Sequence, residues 1–253
     1  MDKDKILEFW DKRAAIGINA GSDDYVGKEL EIGALSRHIR GGMKVAEFGC
    51  GSGMTAIALA SKYDIQINCF DFSQEMINVA RKLAKEAGVE HRITFGVADV
   101  RNESPLPNDF DIIFTQRAII NLSNWNEQSR AIRYFISHLK QGGHYLMCEN
   151  SSIALAKINE LRSLVGLDLI SPPWHNLYLN DKDISELKLS SAKLIEVEPF
   201  MSTYYFLSRI VNAWLAKREG KIPEYNAPVN QLALMLPAFG DCSQTKLWVF
   251  EKL

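Results

Sequence analysis

Between residues 43 and 149, short apolar runs alternate with stretches of helical period. MKVAEF (43–48) predicts a buried strand, followed by a Gly-rich turn and the helical stretch MTAIALASKY. IQINCFD (65–71) predicts a second strand. SQEMINVARKLAKEAG (73–88) then predicts a helix with a Ser N-cap, Glu75 in its first turn and Gly88 as its stop. RITFGVAD (92–99), FDIIFT (110–115) and HYLMCE (144–149) complete five strands, with a helix over 124–139 between the last two. Strands and helices alternating at this spacing predict a doubly wound α/β fold, a mostly parallel sheet with helices on both faces.

After residue 150 the rhythm loosens. A helix in IALAKINELRSLVGL, a Pro-Pro-Trp-His loop and a short helix near 181–188 lead to two further strands, AKLIEVEPF (192–200) and QTKLWVFEK (244–252). The residues between those strands read as helical with proline breaks. No composition shift marks a second domain. The expectation is one domain, with an N-terminal helical cap over 1–42, a core over 43–150, inserts at 151–190 and 201–242, and a final strand pair at 191–200 and 243–253.

Composition narrows the class. Apolar residues at 47% and charged residues at 24% exclude a disordered or linker-dominated chain. A net charge of −2 gives no global basic field, so nucleic acid is not an expected partner, and Arg81, Lys82 and Lys85 read as a solvated helix face. The charged N-terminus does not resemble a secretory signal. The most apolar later segment, TYYFLSRIVNAWLA (203–216), is too short for a membrane span and contains Arg209. Cys50, Cys69, Cys148 and Cys242 have no metal-ligand spacing and read as reduced, mostly buried thiols. A cytoplasmic location is expected, with no metal.

The strongest chemical signal is VAEFGCGSGMT (45–55), a Gly-rich turn leaving one strand and entering a helix. Glycines there let the backbone reverse tightly and let a ligand approach the main chain, while free N–H groups at the helix start favour an anionic group. Asp71 closes the next strand, where a carboxylate accepts from ribose hydroxyls, and Asp99 closes the third, where it meets an exocyclic amino group. Together they outline an adenosine-shaped crevice. A P-loop is excluded because no G-K-[ST] follows, and the spacing of Gly49, Gly51 and Gly53 departs from the dinucleotide G-x-G-x-x-G.

With Glu47-Phe-Gly49-Cys50-Gly51-Ser-Gly53, Asp71-Phe72 followed by Met76, and Ala98-Asp99-Val100, the sequence resembles the class I S-adenosylmethionine-dependent methyltransferases. That family implies a seven-stranded Rossmann-like sheet whose last strand is antiparallel and pairs with strand six. The resemblance implies that Gly49, Gly51 and Gly53 pass beneath the methionine part of the cofactor and that Asp71 holds its ribose. Phe72 and Met76 would flank the adenine, Asp99 and Val100 would meet its amino edge, and Gln116 would line the methyl-donor side. Glu47 and Cys50 belong to the same turn. Trp10 and Arg13 are candidates to close over the cofactor, with a surface helix as the alternative.

The implied function is methyl transfer to oxygen or nitrogen of a small polar metabolite, leaving S-adenosylhomocysteine. Thr115-Gln116-Arg117-Ala118 carries neither the motif of base- or glutamine-methylating enzymes nor a Pro-Cys nucleophile. A loose similarity in QRAIINLSNWNEQ (116–128) and PPWHN (172–176) leans toward a sugar, glycan precursor or natural product. His175 is the candidate general base, with structural capping as the alternative. Asn121, Glu149, Asn150, Trp174, Tyr178 and Tyr204 are candidates for the acceptor side. The apolar spacing of Tyr204, Tyr205, Phe206, Leu207, Ile210, Val211 and Trp214 reads first as helix core, with a lid or a homodimer patch left open. A non-catalytic nucleoside-binding regulator and an NAD-linked dehydrogenase remain alternatives.

Overall fold

The computed structural model describes residues 2–101 and 107–253. Seven strands form one sheet: β1 (Lys44–Phe48), β2 (Gln66–Asp71), β3 (Ile93–Val97), β4 (Phe110–Gln116), β5 (Leu139–Asn150), β6 (Ala192–Glu198) and β7 (Thr245–Lys252). Their order is β3-β2-β1-β4-β5-β7-β6. The first five are mutually parallel, and β7 runs antiparallel to both β5 and β6. This is the seven-stranded Rossmann-like arrangement that the resemblance implied.

Strand alternation explains the two-faced core, because successive side chains leave a strand on opposite sides. Val45, Ile112, Phe114, Leu146 and Val249 point to one face, where they meet α2 (Tyr25–Ser36), α3 (Met54–Lys62) and α4 (Gln74–Glu86). Ala46, Ile113, Tyr145, Met147 and Trp248 point to the other, against α5 (Trp125–Ser137) and α7 (Asp181–Ser185). Local signals start these helices. Ser73 caps α4 by accepting from Met76 N, and Asn124 caps α5 by accepting from Glu127 N.

Two strand-level expectations shift. β5 begins at Leu139, five residues earlier than the apolar run suggested, because Leu139 pairs with Phe110 before the irregularity beside Gly142 and Gly143. The third strand ends at Val97, so Asp99 stands in the following loop rather than closing the strand.

The rest of the chain collects over the carboxyl edge of the sheet. The first helix, α1 (Lys3–Ala14), lies against α4, with Ala14, Ala20, Met76 and Trp10 in contact. A separate cluster joins Val26 of α2, Ile158 of α6 (Ser152–Leu164), and Met201, Tyr204, Tyr205, Ile210 and Ala233 of the last insert. That insert is not one helix. It runs as α8 (Ser202–Phe206), a π-helical turn over Leu207–Asn212 and α9 (Ala213–Arg218), then α10 (Pro228–Gln231). The stripe expected to be core is so in its first half, whereas Trp214 is exposed. Among the described residues no helix is long and apolar enough to cross a membrane.

One buried carboxylate fixes the loop after β4. Glu149, at the end of β5, accepts from the backbone N–H groups of Ala118 and Ile119, both at 3.0 Å, and of Ile120 at 3.4 Å. Replacing it would strand three buried donors. Glu149→Ala is expected to lower unfolding free energy by about 3 kcal/mol, measured by urea denaturation. A wild-type midpoint would show that the loop holds itself.

Candidate functional site

A cleft of about 480 Å³ opens at the carboxyl edge, within the usual range for small-molecule sites. It straddles β1 and β4, where the strand order reverses, which is the expected ligand position in an open α/β sheet. Of the predicted residues, Trp10, Arg13, Glu47, Gly49, Cys50, Gly51, Asp71, Phe72, Met76, Asp99, Val100, Gln116, Asn121, Asn150, His175 and Tyr178 line it.

Four predicted residues stand elsewhere. Gly53, at φ +74°, begins α3 with Ala80 and Phe95 close to where a side chain would project. Glu149 is wholly buried under the β4 loop. Trp174 is exposed and packs edge-on against Phe9 and His175. Tyr204 is buried, and its hydroxyl donates to Asp24 Oδ2 at 2.6 Å. Their apolar or polar character came from packing and backbone satisfaction, which spacing alone does not separate from ligand contact.

The cofactor half is built on turns that need glycine. Gly49 has φ +74°, and an added Cβ would lie 2.4 Å from the Ala118 Cβ. Gly51 has φ +51° with nothing within 4 Å of a would-be Cβ, so open space lies over this part of the turn. Asp71 braces the turn: its Oδ2 accepts from Gly51 N at 2.8 Å and its Oδ1 from Ser73 N at 2.9 Å. Each oxygen keeps a further lone pair for a hydroxyl donor. Burial raises the Asp71 carboxyl to about 6 despite these backbone bonds. Asp99 differs. Arg101 Nε donates to its Oδ1 at 2.8 Å and Lys3 Nζ sits 2.8 Å from its Oδ2. Burial acts to raise this carboxyl, but those hydrogen bonds outweigh it and hold the group below the usual range.

Cys50 lines the same turn. A hydrogen bond with Cys69, together with burial, pushes its thiol well above the ordinary range.

Helix α1 spans the mouth. Lys3 meets Asp99, Asp11 accepts from Ser73 Oγ, and Trp10 Nε1 donates to Asn121 Oδ1 at 3.4 Å. Arg13 is occupied by the Ala20 carbonyl and lies over the Phe9 ring. His175 sits among Phe9, Trp10 and Trp174, with Nδ1 3.3 Å from Asn121 Oδ1. Burial, and behind it the Arg13 charge, lower its pKa.

The other half of the cleft holds charges that the motifs did not flag. Lys28, Arg117, Arg209, Tyr205, Tyr225 and Gln244 all line it. Gln116 is the hub: its Oε1 accepts from Thr55 Oγ1 at 2.6 Å and Lys28 Nζ at 3.2 Å, and its Nε2 donates to Glu31 Oε2 at 2.5 Å. Glu31 also pairs with Arg117 at 3.3 Å. Arg117 carries φ +54°, an uncommon conformation for a non-glycine residue and one seen often at functional sites. A sequence signal for Lys28 and Glu31 existed in their i, i+3 spacing, but nothing in it pointed to this cleft.

The cofactor half fits S-adenosylmethionine by its donor set: an open glycine turn, a braced Asp71 with spare lone pairs, and Phe72, Met76 and Val100 beside it. Comparison with known proteins agrees. Residues 45–143 match the family described as methyltransferase domain. The chain is similar to phosphoethanolamine N-methyltransferase 1 of Arabidopsis thaliana, 27% identical over 153 residues, which cover 59% of this chain and 30% of that protein. The chain thus spans about a third of that relative's length. In fold it is similar to the [4+2]-cyclase SpnF, with a TM-score of 0.59, 22% identity and coverage of 88% and 79% of the two chains. It is likewise similar to the methyltransferase in complex with the Haloferax volcanii Trm112 activator, with a TM-score of 0.65, 16% identity and 96% of each chain covered.

Glu47 and Glu149 generate a pH dependence. Burial raises Glu47 to about 8 and Glu149 to about 7, so the folded protein holds protons that the unfolded chain releases. Stability therefore falls as pH rises through that window, and the thermal midpoint of the cofactor-free protein is expected to climb on going from about pH 8.5 to about pH 7. A flat or opposite trend would place both carboxyls near their ordinary values.

Proposed function

We propose that this class I S-adenosylmethionine-dependent methyltransferase core belongs to an enzyme that methylates oxygen or nitrogen of a small polar metabolite. The observation that carries the reading is the single continuous cleft joining the Gly49–Ser52 turn and Asp71 to side chains of both inserts. Relatives named for phosphoethanolamine, ajmaline and 27-O-demethylrifamycin support a small-molecule acceptor. In this reading the whole chain works as one unit in the cytoplasm, alone or as a homodimer, with the core holding the cofactor and the inserts the acceptor.

When bound, S-adenosylmethionine supplies a methyl group activated on a sulfonium sulfur, which leaves as S-adenosylhomocysteine once the acceptor atom takes the methyl. The residues then have mainly to hold two groups in line and keep water out. Asp71 would hold the ribose hydroxyls. Phe72 and Met76 would flank the adenine, with Val100 at its edge. Gln116, already saturated by Thr55, Lys28 and Glu31, would act as a fixed wall on the methyl side. Phe9, Trp10 and Trp174 would dry the mouth around His175.

His175 is the proposed base where the acceptor must lose a proton. Its lowered pKa keeps the imidazole neutral near pH 7. For Nε2 to accept, Nδ1 would carry the hydrogen and donate to Asn121 Oδ1, 3.3 Å away, in place of accepting from Asn176 Nδ2, which lies 3.1 Å from it.

Calorimetry with S-adenosylhomocysteine and NADH tests the cofactor assignment. Binding of the first is expected, and tight binding of NADH alone would overturn the assignment. Asp71→Ala is expected to weaken S-adenosylhomocysteine by roughly 1–3 kcal/mol through a lost charge-assisted hydrogen bond. Unchanged affinity would remove Asp71 from the ribose site. With an acceptor found by radiolabelled methyl transfer into host extract, His175→Ala is expected to lower kcat about 100-fold or more. The wild-type rate should fall only below the ordinary histidine range, because the neutral imidazole is the active form. Full turnover by the variant would exclude the base role, and S-adenosylhomocysteine binding without methyl transfer to any fraction would favour a regulator.

A further inference from the structure

Arg209 is only partly satisfied by its surroundings, which include a hydrogen bond with Tyr225. It lines the cleft, and its Nε is buried without a hydrogen-bond partner. Its charge is met by aromatic rings rather than a carboxylate: Tyr225 lies with its centroid 5.3 Å from the guanidinium carbon and Tyr205 at 5.8 Å. A guanidinium taken out of water without an anionic partner is costly, and such a residue is retained where a ligand completes it.

The backbone under Arg209 is specialised in the same direction. Leu207–Asn212 is a π-helical turn between α8 and α9, a rare geometry that concentrates at functional sites. Widening the turn leaves carbonyl groups without their usual helical partners, and the Arg162 guanidinium of α6 donates to the carbonyl oxygen of Arg209 itself. The turn is therefore pinned from outside at the residue that enters the cleft.

The neighbours of Arg209 belong to the far half of the sheet. Tyr178 accepts from Gln244 Nε2 at 3.2 Å, and Thr245 Oγ1 donates to Asn150 Oδ1 at 2.7 Å while contacting the Tyr205 hydroxyl at 2.7 Å. Asn150 and Thr245 are the paired ends of β5 and β7, whereas Asp71 and the glycine turn stand at β2 and β1. A molecule reaching Arg209 lies across the topological switch from the adenosine site. The Gln244 Oε1 is also buried without a partner, so the same end offers one unmet acceptor beside one unmet donor.

We propose that the methyl acceptor carries an oxyanion, a carboxylate or a phosphate ester, and that Arg209 binds it through the planar donor face of its guanidinium. Among the described residues that line the cleft, Arg117 and Lys28 share Glu31, Arg101 pairs with Asp99 and Arg13 donates to the Ala20 carbonyl, so Arg209 is the cation left for the ligand. A hydroxyl or amine on the same molecule would satisfy Gln244. This specificity role rests on the methyltransferase reading above.

The test uses the full chain saturated with S-adenosylhomocysteine, so that the cofactor site is closed to the probes. Inorganic phosphate and acetate are titrated in turn at constant ionic strength, following the Arg209 Nε–H resonance and the heat of binding. Saturable binding of one anion is expected, with phosphate or acetate deciding between the two sources of the oxyanion. Arg209→Gln should weaken that binding at least tenfold and leave S-adenosylhomocysteine affinity within about twofold. Should Arg209→Gln not fold, Arg209→Lys keeps the charge without the planar fork and should bind the same anion several-fold more weakly. Absence of saturable binding of either anion, full affinity in a folded variant, or loss of S-adenosylhomocysteine affinity in the variants would each overturn the proposal. Failure of the wild-type protein to bind S-adenosylhomocysteine would instead sink the methyltransferase reading.

Discussion

The structure depends on a single close approach, that of Gly49 to Ala118. Here the turn after β1 and the loop after β4 touch, at the point where the chain changes the direction in which it adds strands. Gly49 N donates to the Phe70 carbonyl at 2.7 Å, with a positive φ that only glycine adopts freely. Ala118 is held from the other side by Glu149. Any larger residue at Gly49 would push the two loops apart and open the floor of the cleft. The two halves of the site are aligned because this contact leaves their loops no freedom to slide.

Around that floor the charges are arranged differently at the two ends. On the β1–β3 side Asp71 stands without a cationic partner among the described residues, while Asp99 is met by Arg101 and Lys3. Beyond β4 Lys28, Arg117 and Arg209 stand among tyrosines, with Glu31 and Asp24 as the nearby carboxylates. Glu31 neutralises part of the positive half, and it sits where Gln116, Arg117 and Lys28 converge. Removing that one carboxylate would disturb at once the Gln116 amide, proposed above to wall the methyl side, and two cations.

Much of this was legible in the sequence, for identifiable reasons. Strand β1, the glycine turn and the Asp71 strand end are local patterns in which hydrophobic period, turn chemistry and caps agree. Ser73 announced helix α4 through its own side chain, whereas the Asn124 cap of α5 came to light only in the structure. What the sequence did not show depends on tertiary contacts. The early start of β5 needs Phe110 as a partner, and Glu149 looks like a site residue until the three N–H groups it satisfies are in place. The apolar stripe from Tyr204 onward carries a regular helical period, yet the π-helical turn breaks it and rotates Arg209 into the cleft. That arginine entered the sequence reading only as an obstacle to a membrane span. Lys28 and Glu31 lie far upstream, and folding alone brings them to Gln116.

Cys50 and Cys69 stand beside the turn that would cradle the cofactor. Sulfur in its ionised form is a strong nucleophile, and a site that presents an activated methyl group would alkylate it. The Cys69 contact and the surrounding burial raise the Cys50 thiol well above its ordinary range, so thiolate would stay scarce even in mildly alkaline solution. A methyl donor seated on this turn, as proposed above, would then meet sulfur in its poorly nucleophilic form.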